Sequence, residues 1–124
     1  MTFYFASKYS NLDALNEIKK KVEATVHNYV TSRWLAGGHT GGSIGDKRRY
    51  AEEDLRDIDR ANMIVVFELP IGDAEPSTGK AVELGYAYAQ GKRVILVGEK
   101  RSVFHYLHGI EHYASVEEFL EMYT

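Results

Sequence analysis

Short apolar runs alternate with amphipathic stretches along this chain. The runs at 2–6, 62–69 and 93–97 are almost wholly apolar, which is typical of strands buried on both faces of a parallel sheet. Residues 27–35, rich in Tyr, Val, Thr and Trp, predict a further strand, and residues 110–113 a short last one. Apolar residues at helical spacing predict helices over 12–26, 48–60 and 79–90, a short helical segment over 101–108, and a final helix. A capping box at 115–118 opens that last helix.

The order of these elements predicts the fold. Strands that alternate with helices form parallel sheets, so we expect an α/β flavodoxin-like or Rossmann-like sandwich with five strands and helices on both faces. The 124 residues suffice for a single domain spanning 1–124. In such folds ligands bind at the carboxyl ends of the strands, which here means the segments 7–11, 33–47 and 70–77.

Composition and motifs exclude several classes of function. The chain contains no cysteine, which removes disulfides, zinc–thiolate sites and thiol nucleophiles, and we expect a cytoplasmic protein. A net charge of −3 gives no general attraction to nucleic acid or anionic membranes. A phosphate-binding P-loop ending at Lys80 needs glycine at 74 and serine or threonine at 81, where this chain has Ala74 and Ala81. No dinucleotide fingerprint and no convincing metal-ligand pattern is present, so we expect neither cofactor nor metal.

One acid stands out, because Glu83 lies among small and apolar residues near the start of a predicted helix. A carboxylate there complements the helix dipole, which is a sufficient structural explanation for many first-turn acids. The same position also lies at the ligand-binding edge of the predicted sheet. The Gly-rich loop at 36–47 is long enough to be functional, or it is an unimportant surface excursion.

Four blocks of the sequence resemble the nucleoside 2-deoxyribosyltransferase family, which includes 2′-deoxynucleoside 5′-monophosphate N-hydrolases. They are FYFAS at 3–7, EEDLRDIDRANMIVVFE at 52–68, STGKAVELGYAYAQGKRVILV at 77–97 and SVFHYLHG at 102–109. The third is the specific one, since it is close to the family's ELGYA core. The resemblance spans almost the whole chain and implies an enzyme that takes a nucleoside or nucleotide and needs no cofactor.

The resemblance also implies roles for particular residues. Glu83 matches the nucleophile that attacks C1′ of the sugar, Asp54 the acid that assists the leaving base, and Tyr4 an aromatic that holds the nucleophile or sugar. Ser77 matches a serine that contacts the 5′-phosphate in the monophosphate hydrolases. His105 falls near a position that reaches an adjacent subunit's site, where the family carries Asn or Ser. The implied assembly is a homodimer or larger homo-oligomer with shared sites.

Residue chemistry adds further candidates and leaves alternatives open. The first turn of the Glu83 helix, including Gly79, offers backbone N–H groups to a phosphate. Ser7 follows the first strand, Arg33 can add positive charge, and Trp34 either stacks on a base or packs in the core. The sugar can pass to water or to another base. The competing functions are a catalytically silent nucleotide-binding or sensing module and a plain interaction domain.

Overall fold

The computed structural model describes residues 1–69 and 78–124. Five strands form one parallel sheet in the order β2-β1-β3-β4-β5. The strands are β1 (Thr2–Ala6), β2 (Tyr29–Val30), β3 (Met63–Glu68), β4 (Arg93–Gly98) and β5 (Glu111–Tyr113). The helices are α1 (Leu12–Glu23), α2 (Ile44–Asp59), α3 (Thr78–Ala89) and α4 (Val116–Tyr123), with 3-10 turns at Tyr9–Asn11, Arg33–Ala36 and Val103–Tyr106. The predicted α/β sandwich is confirmed.

The order of the strands fixes where a ligand crevice can form. The chain starts at β1, adds β2 on one side, and then crosses to β3 on the other side. The strand order therefore reverses between β1 and β3, and parallel α/β sheets bind ligands at the carboxyl edge of such a switch point. Helices α1 and α4 pack together on one face, and α2 and α3 on the other.

Alternation along β1 divides its side chains between the two faces of the sheet. Phe3 and Phe5 lie on the face covered by α4, where both make edge-to-face contacts with Phe119. Tyr4 points to the opposite face, beneath α2 and α3, and all three of these β1 side chains are fully buried. The aromatic run at the N-terminus thus builds the core on one side and delivers one phenol to the other.

The second predicted strand is wrong in length. Only Tyr29–Val30 of the predicted 27–35 is strand, and the chain then turns into a 3-10 segment. Side chains replace the missing sheet contacts: Ser32 Oγ accepts a hydrogen bond from Phe5 N at 2.7 Å, and Trp34 Nε1 donates to Phe5 O at 2.8 Å. Because these polar side chains satisfy the β1 backbone, the strand can end early without leaving buried groups unpaired.

Helix α2 begins at Ile44, four residues before the predicted start at 48. Ser43 caps it: Ser43 Oγ accepts from Asp46 N, and the Asp46 side chain accepts from Ser43 N, which forms a complete capping box. The glycines around this point hide the cap in the sequence.

Within the described residues, no helix is long and apolar enough to cross a membrane.

Candidate functional site

A hydrogen bond between β1 and α3 lies at the centre of the candidate site. The Tyr4 hydroxyl donates to Oε2 of Glu83. Residues 83 and 4 are far apart in the sequence, and the contact exists because β1 directs Tyr4 toward the face on which α3 packs. The acid therefore faces inward rather than only complementing the helix dipole.

Burial controls the ionisation of Glu83. It raises the pKa of this carboxyl from about 4.5 to about 8, the hydrogen bond from Tyr4 opposes the rise, and the negative charge of Asp54 adds to it. The pKa of Tyr4 is itself raised well above its ordinary value, chiefly by burial and then by Glu83. The phenol therefore stays protonated and acts as a hydrogen-bond donor.

Asp54 comes to the same cavity from α2. Burial, and then the neighbouring charges of Asp57 and Glu53, raise the pKa of the Asp54 carboxyl to about 7, while Arg33 acts in the opposite direction. Its Oδ1 atom is buried and has no hydrogen-bond partner among the described residues. Two carboxyl groups whose pKa values lie near neutrality in one cavity are typical of acid–base catalysis.

His39 is a member of the site that the sequence interpretation missed. Its Nε2 atom lies 3.3 Å from Glu53 Oε2 and 3.6 Å from Asp54 Oδ1. The ring stacks on Tyr50 with a centroid distance of 4.6 Å, so its orientation is held from α2. A lone histidine in the Gly-rich loop after the second strand was the available signal, because that loop was placed at the carboxyl edge of the sheet.

Tyr9 anchors the loop that carries His39. The Tyr9 hydroxyl accepts a hydrogen bond from Gly38 N at 2.9 Å. Gly38 has a φ of +82°, a left-handed conformation that a side chain disfavours, so glycine suits this bend. The Tyr9 ring lies 6.2 Å from that of Trp34, and both line the cavity.

Trp34 and the first turn of α3 complete the lining. Trp34 is buried and packs in the core, and it also lines the cavity, whereas its stacking on a base stays a prediction. Lys80 forms a buried ion pair with Glu68, in which Nζ and Oε2 lie 2.7 Å apart. The described lining consists of Tyr4, Ser7, Tyr9, Trp34, His39, Asp54, Gly79, Lys80 and Glu83.

Two predicted site residues lie elsewhere. The Arg33 side chain is absent from the lining and pairs with the buried Asp57, with Nε 2.9 Å from Oδ1. His105 is 5% exposed, and its Nδ1 accepts from Arg101 N at 2.9 Å while Nε2 faces Glu68 at 3.6 Å. This anchoring inside its own chain leaves almost none of the His105 side chain for an adjacent subunit.

The prediction for Ser77 lies outside the described residues. Within residues 1–69 and 78–124, no group of three or more His, Asp or Glu side chains has an arrangement that could hold a metal ion. The cavity, as far as it is described, presents two carboxyl groups, two phenols, an imidazole and a lysine, together with the first turn of α3.

A carboxylate cavity at the switch point of a flavodoxin-like sheet is the arrangement expected of a small α/β enzyme. The family model for nucleoside 2-deoxyribosyltransferase matches residues 3–120. The chain belongs to the nucleoside 2-deoxyribosyltransferase family, whose members cleave or transfer at the N-glycosidic bond. A search of curated protein sequences gives no significant match.

Solved structures show the same fold. The 2-deoxyribosyltransferase of Bacillus psychrosaccharolyticus is 20% identical with a TM-score of 0.73, and the match covers 97% of this chain and 90% of that one. The CMP N-glycosidase of Clostridium botulinum is 18% identical with a TM-score of 0.65, covering 98% and 97%. The 2-deoxyribosyltransferase of Leishmania mexicana is 16% identical with a TM-score of 0.57, covering 99% of both chains.

Proposed function

We propose that this enzyme cleaves the N-glycosidic bond of deoxynucleosides or their 5′-monophosphates and that Glu83 is its nucleophile. The observation that carries the proposal is the partly buried Glu83 carboxyl, which accepts a hydrogen bond from Tyr4 and shares a cavity with Asp54. An ionised carboxylate can stabilise or trap the oxocarbenium-like sugar that forms when such a bond breaks. Family membership supports the bond type.

The reaction proceeds in two displacements. A Glu83 oxygen forms a bond to C1′ as the C1′–N bond breaks, and the electron pair of that bond leaves with the base. The proton on Asp54 passes to the base, so the base departs neutral. Water or a second base then attacks C1′, the ester bond to Glu83 breaks, and its electron pair returns to the carboxylate. The proton lost by the incoming nucleophile returns to Asp54.

His39 provides a further position for that proton. Its Nε2 lies within 3.6 Å of both Asp54 Oδ1 and Glu53 Oε2, so small movements complete a hydrogen bond to either. His39 Nε2 and Asp54 Oδ1 are both buried, have no hydrogen-bond partner among the described residues, and lie 3.6 Å apart. We therefore assign His39 to hold Asp54 and to exchange protons with it between turnovers.

A 5′-phosphate fits the first turn of α3. Backbone N–H groups at the start of a helix favour an anion, and Gly79 lies there in the cavity lining. The charge of Lys80 beside it is compensated by the fully buried Glu68, so the backbone groups carry this argument. Together with the proposed contact from Ser77, this arrangement favours a nucleotide over a nucleoside. The CMP N-glycosidase among the structural neighbours is consistent with such a substrate.

A panel of deoxynucleosides and deoxynucleoside 5′-monophosphates tests the function. Free base and sugar are measured by chromatography, with and without a second base as acceptor. Release of base without acceptor shows a hydrolase, whereas exchange of bases shows a transferase. Tight binding of a nucleotide that persists in Glu83→Gln, with no turnover by the wild type, would instead show a silent binding module.

We propose further that the enzyme works as a homo-oligomer. Four exposed apolar side chains, Val82 on α3 and Val103, Phe104 and Tyr106 on the 3-10 turn, lie on the two elements that border a mainly apolar groove. A second copy of the chain that covers them removes apolar area from water. Sedimentation velocity should give a mass above that of one chain.

Tyr4→Phe should lower kcat/KM about tenfold to hundredfold, because a hydrogen bond to a charged group is worth about 1.5–3 kcal/mol. The hydrogen bond from Tyr4 lowers the pKa of Glu83, so its loss should also move the pH optimum upward. Steady-state kinetics as a function of pH measure both effects. Tyr29→Phe on the edge strand, where the side chain is 60% exposed, is the matched control and should change neither.

A further inference from the structure

A cluster of charges around one buried acid lies near Asp54 on α2. Asp57, one helical turn further along α2, is fully buried. Its Oδ2 accepts a hydrogen bond from Arg33 N, and its Oδ1 one from Arg33 Nε, both at 2.9 Å. Arg60 donates to the same Oδ1 at 2.5 Å. A carboxylate this deeply buried stays paired because an isolated charge there is costly.

The cluster joins three elements at one point. Asp57 also accepts a hydrogen bond at its backbone oxygen from Thr31 Oγ1 at 2.8 Å. It therefore links the segment after β2, the 3-10 turn that carries Arg33, and the helix that carries Asp54. Arg33 is outside the cavity lining, so a direct contact with substrate does not explain why its backbone and side chain both hold Asp57.

We propose that Arg33 and Asp57 are positioning residues for the reaction: they form an ion pair around a buried carboxylate, one helical turn from Asp54, that controls the electrostatic field at the Asp54 carboxyl group. The proposal rests on the proposed function of Asp54 as proton donor. It replaces the predicted role of Arg33 in binding substrate with an indirect one. Neither residue touches the reacting atoms.

Several charged or polar groups surround Asp54, and Arg33 and Asp57 act on its pKa in opposite directions. Glu53 and Asp57 face it from its own helix, His39 from the Gly-rich loop, Glu83 from α3, Tyr4 from β1, and Arg33 from the 3-10 turn. After burial, Asp57 is the largest influence that raises the pKa of Asp54, and Arg33 is the one that lowers it. The ion pair thus brings two opposing influences to a single carboxyl.

Opposing influences give opposite expected results. Asp57→Asn removes a negative charge and should lower the pKa of Asp54, whereas Arg33→Gln removes a positive charge and should raise it, each by about one pH unit. Arg33→Lys keeps the charge and serves as the matched control, with a pKa near that of the wild type. The pH optimum of kcat/KM should move down in Asp57→Asn and up in Arg33→Gln.

The decisive measurement is an NMR titration of the Asp54 side-chain carboxyl in the folded protein, because it needs no turnover. Circular dichroism and thermal melting establish which variants are folded. If Asp57→Asn does not fold, Arg33→Gln against Arg33→Lys decides, since the Arg33 side chain is 45% exposed. The proposal is supported by shifts of opposite sign in the two variants or, where Asp57→Asn does not fold, by an upward shift in Arg33→Gln.

An unchanged Asp54 titration in folded Arg33→Gln would overturn it, and so would a shift of the same sign in Asp57→Asn and Arg33→Gln. Lower activity at every pH with an unmoved optimum would mean that the pair is only structural. If the wild type cleaves no nucleotide but the titration shifts as expected, the proposed function fails while the electrostatic link stands. The two failures are therefore distinguishable.

Discussion

Glu83→Gln should lower kcat by at least about 10³-fold, equivalent to about 4 kcal/mol of transition-state stabilisation. The amide keeps the size of the side chain and can still accept the hydrogen bond from Tyr4, but it cannot form an ester with the sugar. Release of free base in the nucleotide panel measures the loss. Glu121→Gln, an exposed acid on α4, is the control and should leave the rate unchanged. A Glu83→Gln enzyme with more than a tenth of wild-type activity would contradict the nucleophile assignment.

The same variant should be more stable than the wild type at alkaline pH. The folded Glu83 carboxyl has a pKa of about 8 against an ordinary 4.5, so between these values the folded protein holds a proton that the unfolded chain has lost. Stability of the wild type therefore falls as pH rises through this window, and glutamine has no such penalty. The gain in free energy of unfolding at pH 8 should be on the order of a few kcal/mol, measured by urea denaturation. A gain of equal size at pH 4 and pH 8 would mean that ionisation of Glu83 is not its cause.

Asp54→Asn should lower kcat/KM by about 10²–10⁴-fold on ordinary substrates, the usual range for general acid catalysis. The loss should depend on the leaving base. A 7-methylguanine base already carries a positive charge and leaves without a proton, so the variant should cleave its nucleotide nearly as fast as the wild type does. Equal losses on both substrates would contradict a proton-donor role. Glu52→Gln, which changes an exposed acid on α2, is the matched control.

The pH dependence of the wild type follows from the ionisation of Glu83 and Asp54 together. In the proposed mechanism Glu83 is ionised and Asp54 is protonated, and the two carboxyls titrate together with pKa values of about 8 and about 7. Because Glu83 has the higher pKa, this is the minor one of the two forms that hold a single proton between these values. Below about pH 7 both hold protons and Glu83 cannot attack. Above about pH 8 both are ionised and the base receives no proton. The profile of kcat/KM should therefore be a bell between these values, and Asp54→Asn should lose its alkaline side.

Most of the fold could be predicted from the chain because its signals are local. Apolar runs predict β1, β3 and β4, and helical spacing predicts α2 and α3, without any knowledge of what packs against them. The errors lie where a distant contact replaces a local rule. Ser32 and Trp34 bond to the Phe5 backbone and end β2 early, and nothing within 27–35 indicates that partner.

Candidate residues were predictable in part, for a related reason. Glu83 follows from the pattern of strands and helices, Tyr4 and Asp54 follow from the family's blocks, and the structure brings these three together. Arg33 could be recognised only as a positive charge near the right edge, and His105 only by its place in the family's last block. Whether such a side chain points to the cavity or to a buried acid depends on which element packs against it.

The feature that the sequence by itself determined is the acid on the helix: Glu83, placed at the carboxyl edge of a parallel sheet by periodicity and by the ELGYA block. Only the tertiary structure decided what surrounds it. The hydrogen bond from Tyr4 lowers the pKa of Glu83 and the charge of Asp54 raises it, although both residues are distant from Glu83 in the sequence. The Gly-rich loop brings His39 to Asp54 through a bend that Tyr9 anchors. Burial and charge act through space, so the chemistry of the cavity follows from the packing of β1, α2 and α3 against one another.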